Sequence, residues 1–445
     1  MNTRERISSR LGFLMLAAGC AVGLGNVWRF PFIVGQNGGA MFVILYLAFL
    51  ALMGLPLLTA ELAEGRGAQQ GIAGAMRILA PSRLSRRWGA VGSIVFAGNF
   101  LLMIYYTDVA GWLLRYTAGS VSPALMPQGA NVGEVFAAVV ADKAGGTIYM
   151  ALAVAIAALI CMGGVVKSVE RFTKWMMIAL LALLAVLAAR SLTLPGAGAG
   201  LRFYLVPNLA SFMAHPVKAV FDAMGQAFFT LSLGVGCMTI FGSYIGRTHS
   251  LFKESAYIIA IDTFVAFMSG LIIFPACAAY NVDVTGGPGL IFMALPSVFA
   301  QMPGGQAWGF CFFLFLAFAA LTTVITVFEC LIGGLMDMTG RSRRRISAYV
   351  AAAVTVAALP CVIFDGVLGW EDFVFSNLWL PLGALSSCLF CTRKFGWGWR
   401  RFVGESSFGD GPRLPKFFYP IMRYLLPAAI LSIIVIGLYD RFCAK

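Results

Sequence analysis

GCAVGLGNVWRFP, from Gly19 to Pro31, lies inside an apolar segment that begins at Leu11. Three glycines, an asparagine and an arginine stand there, where lipid requires an unbroken helix. A helix interrupted in hydrocarbon leaves backbone donors and acceptors unpaired, at several kcal/mol each, so a break persists where it lines a cavity. A second interruption, TLSLGVGC at Thr230–Cys237, occupies the corresponding place further along the chain. Gly19 and Gly23 alone would also suit a close-packing GxxxG face. The second break, with Asn26 and Arg29 close behind the first, favours a binding cavity instead. Paired breaks in two blocks of five spans imply a transporter built as an inverted repeat around a midplane site.

The remaining sequence supplies the membrane. Of 445 residues, 60% are hydrophobic and 11% charged, with mean hydropathy +0.86. A span takes about 20 mostly apolar residues. Eleven segments qualify: 11–35, 40–63, 88–116, 146–163, 172–190, 217–245, 255–280, 306–335, 347–366, 373–392 and 418–439. The expected fold is an all-α polytopic membrane protein with eleven transmembrane helices, two inverted five-helix repeats and breaks in helices 1 and 6. Its parts are an N-terminal segment (1–10), a first repeat (11–200), a second repeat (201–393), and a cytoplasmic loop with helix 11 (394–445). The start, MNTRERISSR, is basic but is followed by no small-residue cleavage site, so it reads as mature sequence.

The net charge of +13 comes from Lys and Arg clustered in alternate loops, at Arg83–Arg87, Lys167–Lys174, Arg247–Lys253, Arg341–Arg345 and Arg393–Arg401. This is the positive-inside bias rather than a nucleic-acid surface, and it places the N-terminus in the cytoplasm and the C-terminus outside the cell membrane. Ten cysteines are scattered through apolar segments, and the pair Cys388 and Cys391 falls inside a span, so they read as small buried hydrophobes. His215 and His249 are the two histidines, too few for most zinc or histidine chemistry. An enzyme is therefore not expected. A channel would need a continuous polar pore, which two breaks in one chain suit poorly.

RLGFLMLAAGCAVGLGNVWRFP (Arg10–Pro31), NGGAMFVILY (Asn37–Tyr46), GQAFFTLSLGVG (Gly225–Gly236), GPGLIFMALPSVFAQMPGG (Gly287–Gly305) and ALTT (Ala320–Thr323) come in one order over most of the chain. Together they resemble the neurotransmitter:sodium symporter family, in its bacterial, eleven-span form. The resemblance implies two sodium ions. One would be held by the Ala21 carbonyl, Asn26, Thr230, Asp262 and the substrate carboxylate. The other would take the carbonyls of Gly19, Val22 and Ala319 and the hydroxyls of Thr322 and Thr323. Sodium needs about five or six oxygens, of the kind these groups offer. Ala319, Thr322 and Thr323 also share one helix face, although a threonine in a membrane helix often bonds only its own i−4 carbonyl.

By the same resemblance, an amino-acid carboxylate meets the amides of Leu24 and Gly25 and the Tyr106 hydroxyl; free amides at a helix break suit an anion. Gly23 stands where amine transporters carry an aspartate, which favours an α-amino acid. The amino group would meet carbonyls near Ala21, Phe229 and Thr230, and Ser232. The side-chain pocket would comprise Leu102, Tyr106, Phe229, Val235, Thr323 and Val327. Val235 replaces a bulky aromatic, so a large hydrophobic or aromatic amino acid is expected. Cys20 departs from the asparagine or serine of the family pattern.

Asp262 is an intramembrane carboxylate and a functional candidate by that fact. It stands where chloride-dependent members have asparagine, beside Tyr46, Gln226 and Thr230, so it would replace the chloride ion. It either stays charged or is protonated in the empty return step, the latter giving proton antiport. Arg29 and Asp372 resemble an outer gate, with Phe229 and Tyr106 as its aromatic lid. Arg4 and Asp337 resemble an inner gate, although Ile7 replaces the tryptophan found near it. Glu61 resembles the glutamate that supports the second break. Asp108 and Glu329 are left without a role, and Asp222 falls at the outer interface. The expectation is a chloride-independent sodium/amino-acid symporter working by alternating access, with lipid, sodium and an amino acid as a small-molecule substrate for partners. The alternative is a sodium-dependent amino-acid sensor that does not transport.

Overall fold

The computed structural model describes residues 7, 9–120, 132–282 and 290–443. Among them the chain is helical, with one isolated bridge between His249 and Asp410. Among the described residues nine helices are long and apolar enough to cross a membrane, and a bent pair, Arg10–Ala21 with Gly25–Gln36, turns through 56° at the first break. The segment expected as the sixth, broken span is two short helices, Pro216–Thr230 and Cys237–Gly242, interrupted where the sequence puts the break. Residues 231–236 between them are non-helical, with Ser232, Gly234 and Gly236 at positive φ (50°, 94° and 76°). Such torsions cannot continue a right-handed helix, which is why hydropathy alone overstates this span.

Burial orders the helices. In Gly305–Thr339, 78% of the apolar stretch is buried, against 17% in Phe418–Phe442. The former is the central post and the latter lies at the rim. Large apolar side chains such as Ile94, Leu159, Trp175, Val356 and Val435 stay more than 60% exposed on the outer faces of long helices. Water would not favour that surface and hydrocarbon does. This is a multi-pass membrane protein.

The two breaks are held against this scaffold. Ser9 caps the first helix by accepting from the Gly12 amide at 3.0 Å, and Arg10 pairs with the buried Glu254 at 2.9 Å. At the second break the backbone approaches the Leu380–Thr392 helix closely. A Cβ on Gly234 would stand 2.0 Å from the Leu380 carbonyl oxygen, and one on Gly383 1.7 Å from that of Gly234. Only glycines at both positions allow the contact. Of the ten cysteines, eight are buried, Cys311 is half-buried and Cys443 exposed.

Candidate functional site

The first break begins where the Val22 amide closes the last turn on Ala18 and ψ swings to 98°. The freed backbone then finds side chains, one within the break and the others from distant parts of the chain. The Gly23 amide donates to Asn26 Oδ1 at 3.1 Å and the Leu24 amide to the Tyr106 hydroxyl at 3.2 Å. Gln226 Nε2 donates to the Gly25 carbonyl at 2.8 Å, and Ser232 Oγ to that of Cys20 at 3.2 Å. Through these last two contacts the breaks hold each other. Glu61 supports the second one, with Oε1 accepting from the Gly234 amide at 2.6 Å.

Asp262 joins the two breaks electrostatically. Its carboxylate accepts from Asn26 Nδ2 at 2.7 Å and from Thr230 Oγ1 at 2.9 Å, and all three residues are buried. Tyr46 stands beside Asp262 and Thr230. The Tyr46 hydroxyl and Gln226 Oε1 are buried without a hydrogen-bond partner. A concentration of oxygen around one buried carboxylate is a cation environment.

The second oxygen cluster forms between the first break and the central helix. Thr322 Oγ1 donates to the Ala319 carbonyl at 2.9 Å; Thr323 Oγ1 reaches that carbonyl at 3.3 Å and the Val22 carbonyl at 3.5 Å. A Cβ on Gly19 would lie 3.6 Å from Thr322 Cβ and 2.8 Å from Thr173 Cγ2. The two threonines thus bond within their own helix, and Thr323 also crosses to the first break. Thr173, whose buried hydroxyl has no partner, was not singled out from sequence; nothing local marks it.

Between the clusters lies a cavity of about 20 Å3 bordered by Cys20, Ala21, Gly23, Leu24, Gly25, Leu102, Tyr106, Phe229, Ser232 and Thr323. A Cβ on Gly23 would meet Thr323 Oγ1 at 2.7 Å and the Tyr106 hydroxyl at 2.8 Å, so this glycine keeps the floor open. Phe375 and Leu380 complete the wall and were missed. Thr230, Val235 and Val327 lie outside that lining: Thr230 is turned to Asp262, and the Val235 carbonyl accepts from Asn99 Nδ2 at 2.6 Å. The volume suits about one water molecule, so a larger occupant needs the aromatic walls to separate.

Above this cavity a vestibule of about 430 Å3 is bordered by Arg29, Tyr105, Tyr106, Asp222, Phe229 and Asp372 among others. Arg29 and Asp372 both face it, as the resemblance implies, but they do not pair with each other. The Arg29 guanidinium sits 4.2 Å above the Phe229 ring, while Asp372 Oδ1 accepts from Ser376 Oγ at 3.0 Å. Asp222 accepts from Asn37 Nδ2 at 2.9 Å and pairs with Lys218.

At the opposite end, Asp337 accepts from the Gly71 amide at 2.9 Å. Arg4, its expected partner, lies outside the described residues. Glu329 has a partner set that sequence left open: Tyr244 donates at 2.7 Å, and Arg343 bonds both its oxygens, at 2.6 and 3.0 Å. The Ile7 amide donates to the Tyr244 carbonyl at 3.4 Å, which ties the start of the chain to the same tyrosine. Glu64, also missed, accepts from Ser387 Oγ at 3.3 Å and Cys391 Sγ at 3.4 Å, tying its helix to the helix at the second break.

The comparisons agree with this arrangement. The family model described as the sodium:neurotransmitter symporter family matches residues 4–133 and 136–442. An uncharacterised sodium-dependent transporter of Bacillus subtilis, YhdH, is 33% identical, over 96% of each chain. The sodium-dependent serotonin transporter of Drosophila melanogaster is 28% identical, over 98% of this chain and 76% of its own. The crystal structure of MhsT in complex with L-phenylalanine superimposes with a TM-score of 0.86 at 34% identity, covering 98% of this chain and all of that one. With two mutually braced helix breaks, an oxygen-rich core around Asp262 and these matches along its length, the chain belongs to the sodium:neurotransmitter symporter family, whose members are transporters and not enzymes.

Proposed function

We propose that the protein imports a large hydrophobic or aromatic amino acid by sodium symport, independently of chloride. The observation that carries the proposal is the buried Asp262 carboxylate, bonded at once to Asn26 of the first break and Thr230 at the edge of the second. A fixed negative charge there offsets bound sodium without a travelling anion, beside the unpartnered Tyr46 hydroxyl and Gln226 carbonyl. The first ion sits with Ala21, Asn26, Thr230 and Asp262, the second with Gly19, Val22, Ala319, Thr322 and Thr323. The substrate carboxylate faces the Leu24 and Gly25 amides and Tyr106 and completes the first ion's shell. That shared ligand couples ion and substrate binding.

The pocket walls of Leu102, Phe229, Phe375 and Leu380 are apolar and favour an apolar side chain; the phenylalanine in the MhsT crystal supports the same class. The proposed architecture keeps eleven spans in two inverted repeats, 11–200 and 201–393, and the basic clusters in alternate loops support a cytoplasmic N-terminus and an outside C-terminus in the cell membrane. Sodium and substrate stabilise the outward-closed form, and tilting of the two broken helices releases them inward.

The test is uptake of a panel of radiolabelled amino acids into proteoliposomes under an inward sodium gradient, in chloride and in gluconate. Concentrative uptake of an aromatic or large aliphatic amino acid in both buffers is the expected result. Binding without accumulation would overturn the transport reading, and uptake that vanishes in gluconate would overturn the role of Asp262.

A further inference from the structure

A second cavity, of about 340 Å3, lies beside the vestibule and includes Asp108, which the transport cycle does not use. Asp108 is 1% exposed, and its Oδ1 has no hydrogen-bond partner. The charged groups around it are accounted for. Lys143 borders the cavity, but its ammonium is 2.9 Å from Asp365 Oδ1. Arg115 pairs with Asp142 at 2.8 Å, and Glu371 Oε2 accepts from Cys361 Sγ at 2.9 Å. One carboxylate with an unpartnered oxygen therefore remains in a pocket bordered by the Lys143–Asp365 pair and otherwise largely apolar, with Trp112, Val139, Val140, Val362 and Leu368 among its walls.

We propose that this cavity binds a small organic cation, an ammonium joined to an apolar body, on the Asp108 carboxylate. The volume falls in the range of small-molecule sites, about 300–1,000 Å3. An ammonium supplies the charge-assisted hydrogen bonds that the carboxylate lacks, and its apolar body covers Trp112 and the valines. A bare metal ion is a poorer match, because it needs about six oxygens and this pocket offers mostly hydrocarbon. Leu368 and Gly369 line both this cavity and the vestibule, so the helix Val367–Val374, which carries Asp372, is the partition between them. An occupant braces that partition from behind and slows its closure over the substrate. The site is thus modulatory and distinct from the transport pocket.

The probe is 2-phenylethylamine, which has the cation and the apolar body but no carboxylate; 2-phenylethanol is its neutral control. Calorimetry on the purified full chain in sodium, with and without excess L-phenylalanine, reads binding independently of transport. L-phenylalanine's own binding heat reports separately on the proposed substrate class. The amine is expected to bind whether or not L-phenylalanine is present, the alcohol not to bind, and Asp108→Asn to weaken the amine by about tenfold or more. Val140→Trp, which fills the cavity and keeps the carboxylate, is expected to abolish binding, so one misfolded variant does not decide the matter. In uptake assays the amine should lower the maximal rate without raising KM. Displacement by L-phenylalanine with unchanged affinity in Asp108→Asn would assign the amine to the transport pocket and overturn the proposal. So would the absence of binding up to about 10 mM, the weak end of specific affinity.

Discussion

Asp262→Asn preserves shape and removes charge, and its effect can be worked from two hydrogen bonds. The carboxylate takes Asn26 Nδ2 at 2.7 Å and Thr230 Oγ1 at 2.9 Å with no water nearby to substitute, because all three residues are buried. An amide has one acceptor oxygen. It must face Asn26, whose NH2 can only donate, and the Thr230 hydroxyl must then rotate to accept. Losing a hydrogen bond to a charged group costs about 1.5–3 kcal/mol, which corresponds to roughly 10- to 150-fold in affinity. The variant's half-saturating sodium concentration for proteoliposome uptake in gluconate should rise by that factor. Chloride should recover part of the loss, seated by the Tyr46 hydroxyl and the Gln226 amide. Wild-type uptake should be the same in both buffers. A variant with the wild-type sodium dependence in gluconate would refute the reasoning.

Gly23→Ala should weaken amino-acid binding by about tenfold or more, since its Cβ meets Thr323 Oγ1 at 2.7 Å and the Tyr106 hydroxyl at 2.8 Å and overpacking costs about 1–3 kcal/mol; equilibrium binding of labelled substrate checks this. Cys20 borders the pocket, so a small thiol reagent should block uptake, substrate should protect, and Cys20→Ser should resist. Arg343→Met strands the buried Glu329 carboxylate and should lower stability by about 3–5 kcal/mol, read as an earlier thermal transition in detergent, with Glu329→Gln in the same chain restoring part of it. Glu61→Ala leaves the Gly234 amide without its acceptor and should lower transport far more than it lowers the amount of folded protein, as judged by uptake against size-exclusion yield.

The spans and both breaks were legible because lipid imposes one rule on every residue, and glycine in an apolar run violates it visibly. That Asn26, Thr230 and Asp262 meet was legible through the resemblance, since three polar side chains at that depth must satisfy one another. The pocket wall was less so. Phe375 and Leu380 come from a helix about 145 residues beyond Phe229, and nothing in their local pattern says which face turns inward. Val235 was expected to line the pocket, but the φ of 94° at Gly234 redirects the chain there, a torsion that a one-letter sequence does not carry. Glu329 and Glu64 found partners on helices whose packing angle periodicity cannot give.

In the proposed cycle the carboxylate of Asp262 also sets how electrical work is done. There, two sodium ions, the ionised Asp262 and a zwitterionic substrate carry one net positive charge inward. The unloaded protein then returns with one negative charge, which a negative-inside potential pushes outward. Both half-cycles are then voltage-driven, two charges per turn, or about 4.6 kcal/mol at 100 mV. A carrier that brings chloride along moves one charge per turn, and so does this one if Asp262 returns protonated. The steepness of uptake against an imposed potassium diffusion potential therefore counts the charge on a single side chain that no solvent touches.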